Sequence, residues 1–496
     1  MGNNIRKTVI LIHPRVHPTS EYCQVPLGIL AVAGPLEKAG YGLLLVDAMV
    51  DRDYKNKILG RLDDAICVGI SCMTGYQIQN GLEIAKAIKE KDPSITIVWG
   101  GWHPCVAPEQ TIAHPLVDAV VVGQGETAML EITRCLENFL PLRGIKGVFY
   151  KENGVVVKNE ARSFEDINSF PPIPYHLVDV EKYLIKGDEL GNRVINFISS
   201  RGCPFQCGFC AEFKVNKRRW SALSAERVVS EIETLVTSYK VDGVIFNDSN
   251  FFVDKSRVER ICRGIISRNL AVKWGKANGH PRHLLNYDSG LWSLMHKSGL
   301  RSILIGAESG SQQVLDLIRK DCTVEEIERL AKLCRQFGVK IWYSFILGLF
   351  PDPVSDGFGQ TLALIKTIKS IDPDSEVLVF SYIVYPGTPL YERAGRLGLV
   401  QPSTLEGWAG YILDNTNCSL AEKSYQQILE PLVDFYLPLA YRLNALKIRM
   451  HNSVIKSLLF TFFHELALFR CEHNLFSLPW EWYLYKHIGR RFKLLS

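Results

Sequence analysis

The sequence predicts an α/β protein in three parts: a doubly wound, Rossmann-like domain, a partial (βα)6 barrel and a mostly helical C-terminal region. Two observations carry this prediction. Short apolar runs alternate with helical patterns over residues 8–145, and the same alternation restarts at residue 194 and continues to residue 397. Such alternation is typical of parallel sheets covered by helices, and residues 398–496 lack it.

The composition limits the classes of protein to consider. A chain of 496 residues is too long for one hydrophobic core and indicates two or three domains. A net charge of +5 is too small to indicate a nucleic-acid partner. We expect no secretory leader and no membrane span, since uncharged apolar runs stay below the ~18 residues that a bilayer requires. Thirteen scattered cysteines then favour a reducing compartment, the cytoplasm.

The first part is predicted to contain five parallel strands with helices between them. Strands are expected at residues 8–12, 43–46, 66–70, 95–99 and 119–122, and helices at 77–91 and 127–136 among others. A doubly wound sheet binds ligands at the carboxyl ends of its strands. The candidate residues at these ends are Ser71, Thr74, Gly75, Gly100, Gly101, His103, Gly123, Gly125 and Glu126.

These strand ends are suited to a bulky ligand, but each feature has a simpler explanation. Glycines let a flat ligand approach the backbone, and Ser71 and Thr74 can hydrogen-bond to its polar edge. Turn geometry alone also explains glycines in such places. His103, taken by itself, is more often a structural histidine than a ligand.

Residues 146–193 are predicted to link the two α/β parts. Asn153-Gly154 lies between two short strand-like runs and favours a hairpin, and Pro171-Pro172-Ile173-Pro174 excludes helix and strand interiors alike. The predicted domains are therefore 8–145, 194–397 and 398–496.

The second part is predicted to contain six strands, again separated by helices such as 225–239 and 324–337. The strands are expected at 194–199, 243–247, 272–275, 302–305, 339–345 and 377–383. Six such units fit a partial (βα)6 barrel, whose active groups would lie on the loops that follow the strands.

Three cysteines, Cys203, Cys207 and Cys210, lie on the loop after the first barrel strand. Glycine and proline within this loop free the backbone to fold around one small inorganic group. A disulfide is disfavoured, because the cysteine count is odd and no leader precedes the domain. Zinc would need a fourth ligand from elsewhere, whereas three ligands on a [4Fe–4S] cluster would leave one iron open.

The C-x3-C-x2-C spacing after a strand resembles the signature of radical S-adenosylmethionine (SAM) enzymes. With the glycine-rich strand ends of the first part, the chain resembles the cobalamin-dependent branch of that family. The resemblance implies cobalamin, SAM and a [4Fe–4S] cluster as cofactors. One departure is clear: the Asp-x-His-x-x-Gly motif is absent, since Ala48-Met49-Val50 follows Asp47. The lower cobalt ligand, His103 or a water, therefore stays open.

The resemblance also implies SAM-binding residues at the ends of the barrel strands. These are Phe209 in the cysteine loop, Asp248 in the stretch 246–251, Glu308 and Ser309 in 306–310, and Gly348 in 346–349, with 385–389 as the closing turn. A carboxylate such as Glu308 accepts hydrogen bonds from hydroxyl or ammonium groups. Without the resemblance, Glu308 is equally well a capping carboxylate at a helix start.

The reaction implied by the resemblance is reductive cleavage of SAM to a 5′-deoxyadenosyl radical. The most favoured outcome is C-methylation of an unactivated carbon in a metabolite, lipid or peptide, with methylcobalamin as methyl donor. An oxidative cyclase, resembling the anaerobic magnesium-protoporphyrin ester cyclase, is the first alternative. A methylthiotransferase ranks lower, because the cysteines of the first part form no second cluster motif. A non-enzymatic cobalamin sensor is the last alternative.

Surface charge suggests further partners. The basic run Lys214, Lys217, Arg218 and Arg219 indicates an anionic substrate or an acidic electron donor such as flavodoxin or ferredoxin, although a solvated face explains it too. We expect Arg201 to form a surface salt bridge. Residues 440–496 are basic and aromatic, with a net charge of +6. A helical bundle packed on the barrel explains this best, and peripheral membrane contact is compatible with it.

Overall fold

The computed structural model describes residues 7–19, 23–396, 399–411, 419–441, 454–476 and 478–486. Its first part is a seven-stranded sheet in the order β2-β1-β3-β4-β5-β6-β7. The first five strands are parallel and the last two are antiparallel. The strands are β1 (Thr8–His13), β2 (Gly42–Asp47), β3 (Ala65–Ser71), β4 (Thr96–Gly100), β5 (Ala119–Val121), β6 (Val148–Glu152) and β7 (Val155–Lys158).

Helices cover both faces of this sheet, so its central strands are almost continuously apolar, as in β1 and β3. Two hydrophobic clusters result, one on each face. The helices are α1 (Leu27–Lys38), α2 (Tyr54–Leu59), α3 (Tyr76–Lys91), α4 (Trp102–Val106), α5 (Pro108–Ala113) and α6 (Gly125–Glu137).

The hairpin expected in the linker is an extension of the front sheet. Its first strand, β6, pairs with β5, so that Val120 lies opposite Phe149. The sheet therefore runs as far as residue 158, and the true crossing to the barrel lies beyond it. Short 3-10 turns at Ile167–Ser169, Tyr175–Leu177 and Val180–Tyr183 flank the proline-rich stretch.

The second part is an open, parallel barrel of six strand positions. The strands of this part, including two that lie outside the barrel, are β8 (Val194–Phe197), β9 (Ser200–Gly202), β10 (Trp220–Ala222), β11 (Gly243–Phe246), β12 (Lys273–Gly275), β13 (Ala277–Gly279), β14 (Ser302–Glu308), β15 (Lys340–Leu347) and β16 (Glu376–Ser381). β12 and β13 form one barrel position, because only Lys276, with a φ of +48°, separates them. β9 and β10 form an antiparallel ribbon outside the barrel. The predicted fold class is confirmed.

The barrel helices begin at side chains that satisfy their free N–H groups. Ser224, Asp254, Asp288 and Ser311 each accept such a bond, and Thr323 and Glu326 form a capping box. The helices are α7 (Glu212–Asn216), α8 (Ala225–Tyr239), α9 (Lys255–Ser267), α10 (Pro281–Leu284), α11 (Ser289–Lys297), α12 (Gln312–Leu317), α13 (Val324–Gln336), α14 (Phe358–Ile371) and α15 (Pro389–Arg396).

The C-terminal region is helical and shares one hydrophobic core with the barrel, which contains Phe435, Phe463 and Trp482. Within the described parts of the chain, no helix has the length and apolar character required to cross a bilayer. The helices are α16 (Lys423–Pro431), a π-helical turn (Leu432–Tyr436), α17 (Leu437–Tyr441), α18 (Val454–His473) and α19 (Trp480–Leu484).

A strap, residues 399–411, returns from the end of the barrel to the front domain. Trp408 is fully buried there, and its Nε1 donates a hydrogen bond to Gln110 Oε1 at 2.6 Å. His114 and Glu406 add an ion pair at 3.0 Å. The two α/β parts are thus held together by the linker and by the strap.

Candidate active site

One cavity of about 600 Å³ lies between the front sheet and the barrel. On one side it is bordered by the carboxyl ends of β1, β3 and β4 and by the loop after β5. On the other side it is bordered by β9 and α7. The strand order places the topological switch point of the sheet between β1 and β3, where doubly wound sheets bind ligands. The cavity therefore lies where the fold predicts a ligand.

Six of the nine predicted front-domain residues line this cavity: Ser71, Gly100, Gly101, Gly123, Gly125 and Glu126. Gly123 has a φ of +99°, and a Cβ atom there would have no atom within 4 Å, so bare backbone faces open space. Gly101 has a different reason to be glycine. With a φ of +98°, it lies so close to Cys72 that a Cβ would stand 2.8 Å from the Cys72 backbone.

His103 and Thr74 contact each other rather than the cavity. Thr74 Oγ1 lies 3.0 Å from His103 Nδ1, and the His103 ring packs 5.8 Å from that of Trp408 in the strap. Burial lowers the pKa of His103 to about 4, so the ring is neutral near pH 7. Gly75 begins α3 with a φ of +112°, which is turn geometry.

Sequence reasoning missed His13, the last residue of β1, which does line the cavity. Its Nε2 lies 3.3 Å from Gln77 Nε2, and Gln77 also donates to Pro14 O at 3.0 Å. Burial lowers the pKa of His13, and the nearby Asp47 opposes this shift. The switch-point position of β1 was the available signal, because it singles out the residue at this strand end.

The ribbon β9–β10 closes the base of the cysteine loop. Gly202 pairs with Trp220, and any side chain at Gly202 would collide with the carbonyl of Arg219. Inside the loop, Gly208 N donates to Ile318 O at 2.7 Å, and Leu390 N donates to Gly208 O at 3.1 Å. The loop is therefore fixed to the barrel from two sides.

The three predicted cluster ligands, Cys203, Cys207 and Cys210, are free and partly buried. Burial raises the pKa of each thiol. Across the described residues, no three or more His, Cys, Asp or Glu side chains gather to hold a single metal ion. A cluster takes each thiolate on a separate iron, so its ligands need not meet at one point.

Asn250 lies beside this loop. Its Nδ2 is 3.8 Å from Cys203 Sγ, and its backbone carbonyl accepts from Trp220 Nε1 at 2.9 Å. Asn250 Oδ1 is buried and has no hydrogen-bond partner within the described residues. Buried amide oxygens are normally satisfied, so this atom indicates a missing polar group at the loop.

Asp248 supports the strand that enters the loop. It is fully buried, and its carboxylate accepts from Ser199 N at 2.7 Å and from the hydroxyls of Ser199 and Ser200 at 2.6 Å each. Both carboxylate oxygens are therefore occupied within the protein. A direct contact between Asp248 and SAM stays a prediction.

Glu308 ends β14 in the left-handed region, with a φ of +62°, at a register irregularity opposite β15. Its Oε1 lies 2.8 Å from Lys320 Nζ, and both side chains are buried. Ser309 is fully buried and its hydroxyl lies 3.2 Å from Thr361 Oγ1. Lys320, like His13, was not predicted.

Gly348 follows β15 and has a φ of +81°. Its N–H donates to Asp356 Oδ2 at 2.7 Å, and Tyr425 of α16 donates to the same oxygen at 2.7 Å. Phe209, in the cysteine loop, has Lys320 Nζ 6.0 Å from its ring centroid. The C-terminal region thus contacts a strand end that was predicted to bind SAM.

Arg201 forms a salt bridge, as expected, but the expectation that it lies at the surface is wrong. Arg201 Nη2 lies 2.5 Å from Glu126 Oε1, which is buried at the front-domain side of the cavity. The contact is an ion pair rather than an aligned hydrogen bond. Because Arg201 precedes the cysteine loop, this pair joins the two walls of the cavity.

Comparison with known proteins matches the two halves separately. Residues 16–133 match the B12 binding domain, and residues 197–361 match the radical SAM superfamily. The uncharacterized methyltransferase PH0819 of Pyrococcus horikoshii is 30% identical over 421 residues, which cover 83% of this chain and 88% of that protein. The anaerobic magnesium-protoporphyrin IX monomethyl ester cyclase of Rubrivivax gelatinosus is 30% identical over 78% of this chain and 70% of that protein.

Among solved structures, the cobalamin-dependent SAM radical enzyme OxsB with aqua-cobalamin bound superposes with a TM-score of 0.74. The superposition covers 96% of this chain and 74% of OxsB, at 19% identity. This likeness supports the fold. Given the two matched domains and the relatives that span most of its length, the chain belongs to the family of B12-binding radical SAM enzymes.

Proposed function

We propose that this enzyme uses SAM and cobalamin to methylate an unactivated carbon of a small-molecule, lipid or peptide substrate. The observation that carries the proposal is the shared cavity. Strand ends of the B12-binding domain form one wall, and the strand that leads into the cysteine loop forms the other. Among the described residues none of the three cysteines lines the cavity, but Gly202, which precedes Cys203, does, so a methyl donor in the cavity would lie next to the loop of the radical generator, as methyl transfer to such a carbon requires.

The front wall fits a corrin. Gly100 and Gly123 present bare backbone to the cavity, and Ser71 and Gln77 add polar groups at its edge. His13 offers a neutral imidazole on the same wall, while His103 is turned toward Trp408. Bound cobalamin supplies a methyl group that can be transferred to a carbon without nucleophilic character.

The cysteine loop and the ends of the barrel strands fit a cluster and SAM. Cys203, Cys207 and Cys210 would hold the cluster, and the unsatisfied Oδ1 of Asn250 lies beside them. Glu308, at the end of β14, and Gly348, just after β15, would hold SAM. Together, the cluster and SAM would supply the one-electron chemistry with which hydrogen can be removed from an unactivated carbon.

The remaining task of the protein is to orient these groups and to exclude water. Asp248 fixes the strand that enters the cysteine loop. Asp356 ties the loop after β15 to Tyr425, and Leu429 of α16 lies over Gly348. The C-terminal region therefore closes the SAM end of the barrel against solvent.

Anaerobic reconstitution tests the proposal. We expect about four irons per chain and cleavage of SAM to 5′-deoxyadenosine, and Cys207→Ala should abolish cleavage while cobalamin stays bound. Transfer of an isotope-labelled methyl group from SAM into product is the decisive observation. Stoichiometric zinc in place of iron would contradict the proposal.

An oxidative cyclase or hydroxylase reaction is the second candidate, favoured by the 30% identity to the Rubrivivax cyclase. Both candidates share the two domains and begin with SAM cleavage. They differ in whether the label from SAM reaches the product: an oxidised product without label would select the cyclase reaction. A methylthiotransferase remains the third and weaker proposal.

We also propose an acidic protein reductant, flavodoxin or ferredoxin, in a cytoplasmic setting. The stretch that follows the cysteine loop in sequence carries four exposed basic residues, Lys214, Lys217, Arg218 and Arg219. Lys217→Glu with Arg218→Glu should slow turnover with the protein reductant at low salt and leave turnover with dithionite unchanged. Lys86→Glu, at an exposed lysine of α3, is the control.

Peripheral membrane contact is proposed for the C-terminal region. Leu458, Phe462 and Phe469 are exposed along one face of α18, and Trp480 and Tyr483 are exposed on α19. Glu465 and Glu472 also lie on α18. In the sequence, the adjoining stretches 442–457 and 486–496 contain eight Lys and Arg and no acidic residue. Aromatic and apolar side chains flanked by positive charge suit an anionic lipid surface.

Sedimentation with vesicles tests this contact. The protein should bind phosphatidylglycerol vesicles more tightly than phosphatidylcholine vesicles, and Phe462→Ser with Phe469→Ser should weaken binding. Phe139→Ser is the matched control, because Phe139 is 97% exposed on the front domain. Equal binding by all three proteins would contradict the contact.

A further inference from the structure

A turn of the barrel, residues 318–321, is bonded to the cysteine loop directly at one point and contacts it through His280 at another. Ile318 O accepts from Gly208 N at 2.7 Å. Lys320 O lies 2.9 Å from His280 Nε2, and the His280 ring stacks on Phe205 with the ring centroids 3.8 Å apart. Movement of this turn would therefore move the loop that carries the cysteines.

The backbone of the turn is strained on both sides of Lys320. Arg319 has a φ of +54° and Asp321 a φ of +60°, although neither is glycine. Glu308, the ion-pair partner of Lys320, is also left-handed. Non-glycine residues keep such conformations only where the surrounding structure fixes them, and these cluster at functional sites. The left-handed conformations of Arg319, Asp321 and Glu308 therefore indicate that the Lys320–Glu308 ion pair has a functional role beyond packing.

The Lys320–Glu308 pair is built into the barrel. Its two charged atoms are 2.8 Å apart and both side chains are nearly inaccessible to solvent. Any side chain at Gly306 would collide with both the carboxylate and the ammonium group. The ammonium group also lies 6.0 Å from the ring centroid of Phe209, inside the cysteine loop. Lys320 thus connects Glu308 to the loop.

The positive charge of Lys320 acts on the cysteine loop. Phe209, whose ring the ammonium group faces, stands between Cys207 and Cys210 in the sequence, so the charge lies beside two of the three cysteines. A positive charge beside a cluster favours the more negative, reduced state of that cluster. Net charge around a cluster is one of the determinants of its reduction potential.

We propose that Lys320 is a positioning residue that fixes the carboxylate of Glu308 at the barrel mouth, and that its ammonium group raises the reduction potential of the cluster held by the adjacent loop. This rests on the proposed function, because it requires the cluster and SAM. Groups placed just outside a cofactor's ligands tune its potential in this way.

Potentiometric titration of the reconstituted cluster, followed by electron paramagnetic resonance, tests the charge effect. Glu308→Gln leaves the ammonium group unbalanced and should shift the midpoint potential upward. Adding Lys320→Met removes that charge and should shift the potential down again. The double variant removes both members of a buried pair, so it should unfold cooperatively, as the wild-type protein does.

The matched control is Lys340→Met. Lys340 also forms a mostly buried ion pair, at 2.9 Å with Glu376, on strands away from the cysteine loop. Its loss should leave the potential unchanged. Equal potentials for Glu308→Gln and the double variant would overturn the charge effect, whereas a wild-type protein that assembles no cluster would overturn the proposed function itself.

Equilibrium binding of SAM to the reconstituted protein tests the positioning role. Lys320→Met should weaken binding about tenfold or more, because the Glu308 carboxylate loses the charged hydrogen bond that fixes its position. Lys320→Arg should restore most of the affinity, and Lys340→Met should retain all of it. Wild-type affinity in Lys320→Met would overturn the positioning role.

Discussion

Asp248 and Ser199 show how a single buried carboxylate organises the strand that enters the site. The carboxylate accepts three hydrogen bonds, all from Ser199 and Ser200. Arg257 strengthens the same junction, since its Nη2 donates to Ser199 O at 3.0 Å and to Ser199 Oγ at 2.9 Å. The geometry of the cysteine loop therefore depends on a residue that need not touch any cofactor.

We predict that Asp248→Asn destabilises the protein by about 2–4 kcal/mol, because the amide replaces one acceptor with a donor and leaves a buried hydroxyl unpaired. Urea unfolding measures this loss, and the iron bound after reconstitution should fall with it. Asp63→Asn, at an exposed position, should change stability by less than about 0.5 kcal/mol. Wild-type stability in Asp248→Asn would contradict the role given to this carboxylate.

For single residues, the sequence predicts features that depend on neighbouring positions and misses those that depend on tertiary contacts. The cysteine spacing is a local signal, and so are the glycines at the ends of β4 and β5. Lys320 carries no such signal, since its partner Glu308 is twelve residues away and their contact depends on the strained turn. His103 was an attractive candidate by position, but its surroundings are set by Trp408, which is distant in sequence.

The loop after β15 connects the barrel to the C-terminal helices through Asp356. Burial raises the pKa of this carboxyl to about 6, although the N–H of Gly348 and the hydroxyl of Tyr425 act to lower it. Since the ordinary pKa of the group is 3.8, the folded protein holds this proton over a range where the unfolded chain has lost it. Its contribution to stability therefore falls as the pH rises through that range.

We predict that raising the pH from about 4 to about 6 lowers the free energy of unfolding of the wild-type protein, relative to Asp356→Asn, by up to about 3 kcal/mol. Denaturant unfolding at a series of pH values measures the difference. Asp352→Asn serves as the control, because hydrogen bonding from Ser355 lowers the pKa of Asp352 instead of raising it. Parallel pH profiles for wild type and Asp356→Asn would refute the prediction.

Among the elements, apolar runs located the strands well, whereas their ends were harder to place. β14 was expected to stop at residue 305, but it continues to Glu308 because the Gly306–Glu308 segment still pairs, irregularly, with β15. Gly-Ala-Glu-Ser-Gly has the composition of a loop, so its strand pairing depends on the neighbouring strand. Likewise, the hairpin β6–β7 was expected correctly as a hairpin, and only tertiary pairing with β5 places it in the front sheet.

For the whole molecule, the Arg201–Glu126 pair bridges the two walls of the cavity. We predict that Arg201→Met destabilises the protein by about 2 kcal/mol, because it leaves the buried Glu126 without its cation; partial exposure of Arg201 keeps the loss moderate. Thermal unfolding and cobalamin affinity should fall together. The double variant Arg201→Met/Glu126→Gln should recover much of the stability.

A surface pair provides the comparison. Arg263→Met breaks an exposed ion pair with Glu259 on α9, and its effect should stay below about 0.5 kcal/mol. If Arg201→Met lowers the free energy of unfolding no more than Arg263→Met does, the Arg201–Glu126 pair does not help to join the two halves.

The strap at 399–411 brings the polypeptide back to the front half, where Trp408 is buried, after the chain has left that half through the proline-rich linker. Cleavage of the linker alone would break the backbone, yet the front half would stay bound to the rest of the protein through the strap. A nicked enzyme should therefore migrate as one particle until denatured. Genetic splitting at the linker is then a feasible route to two separately expressed fragments that reassemble.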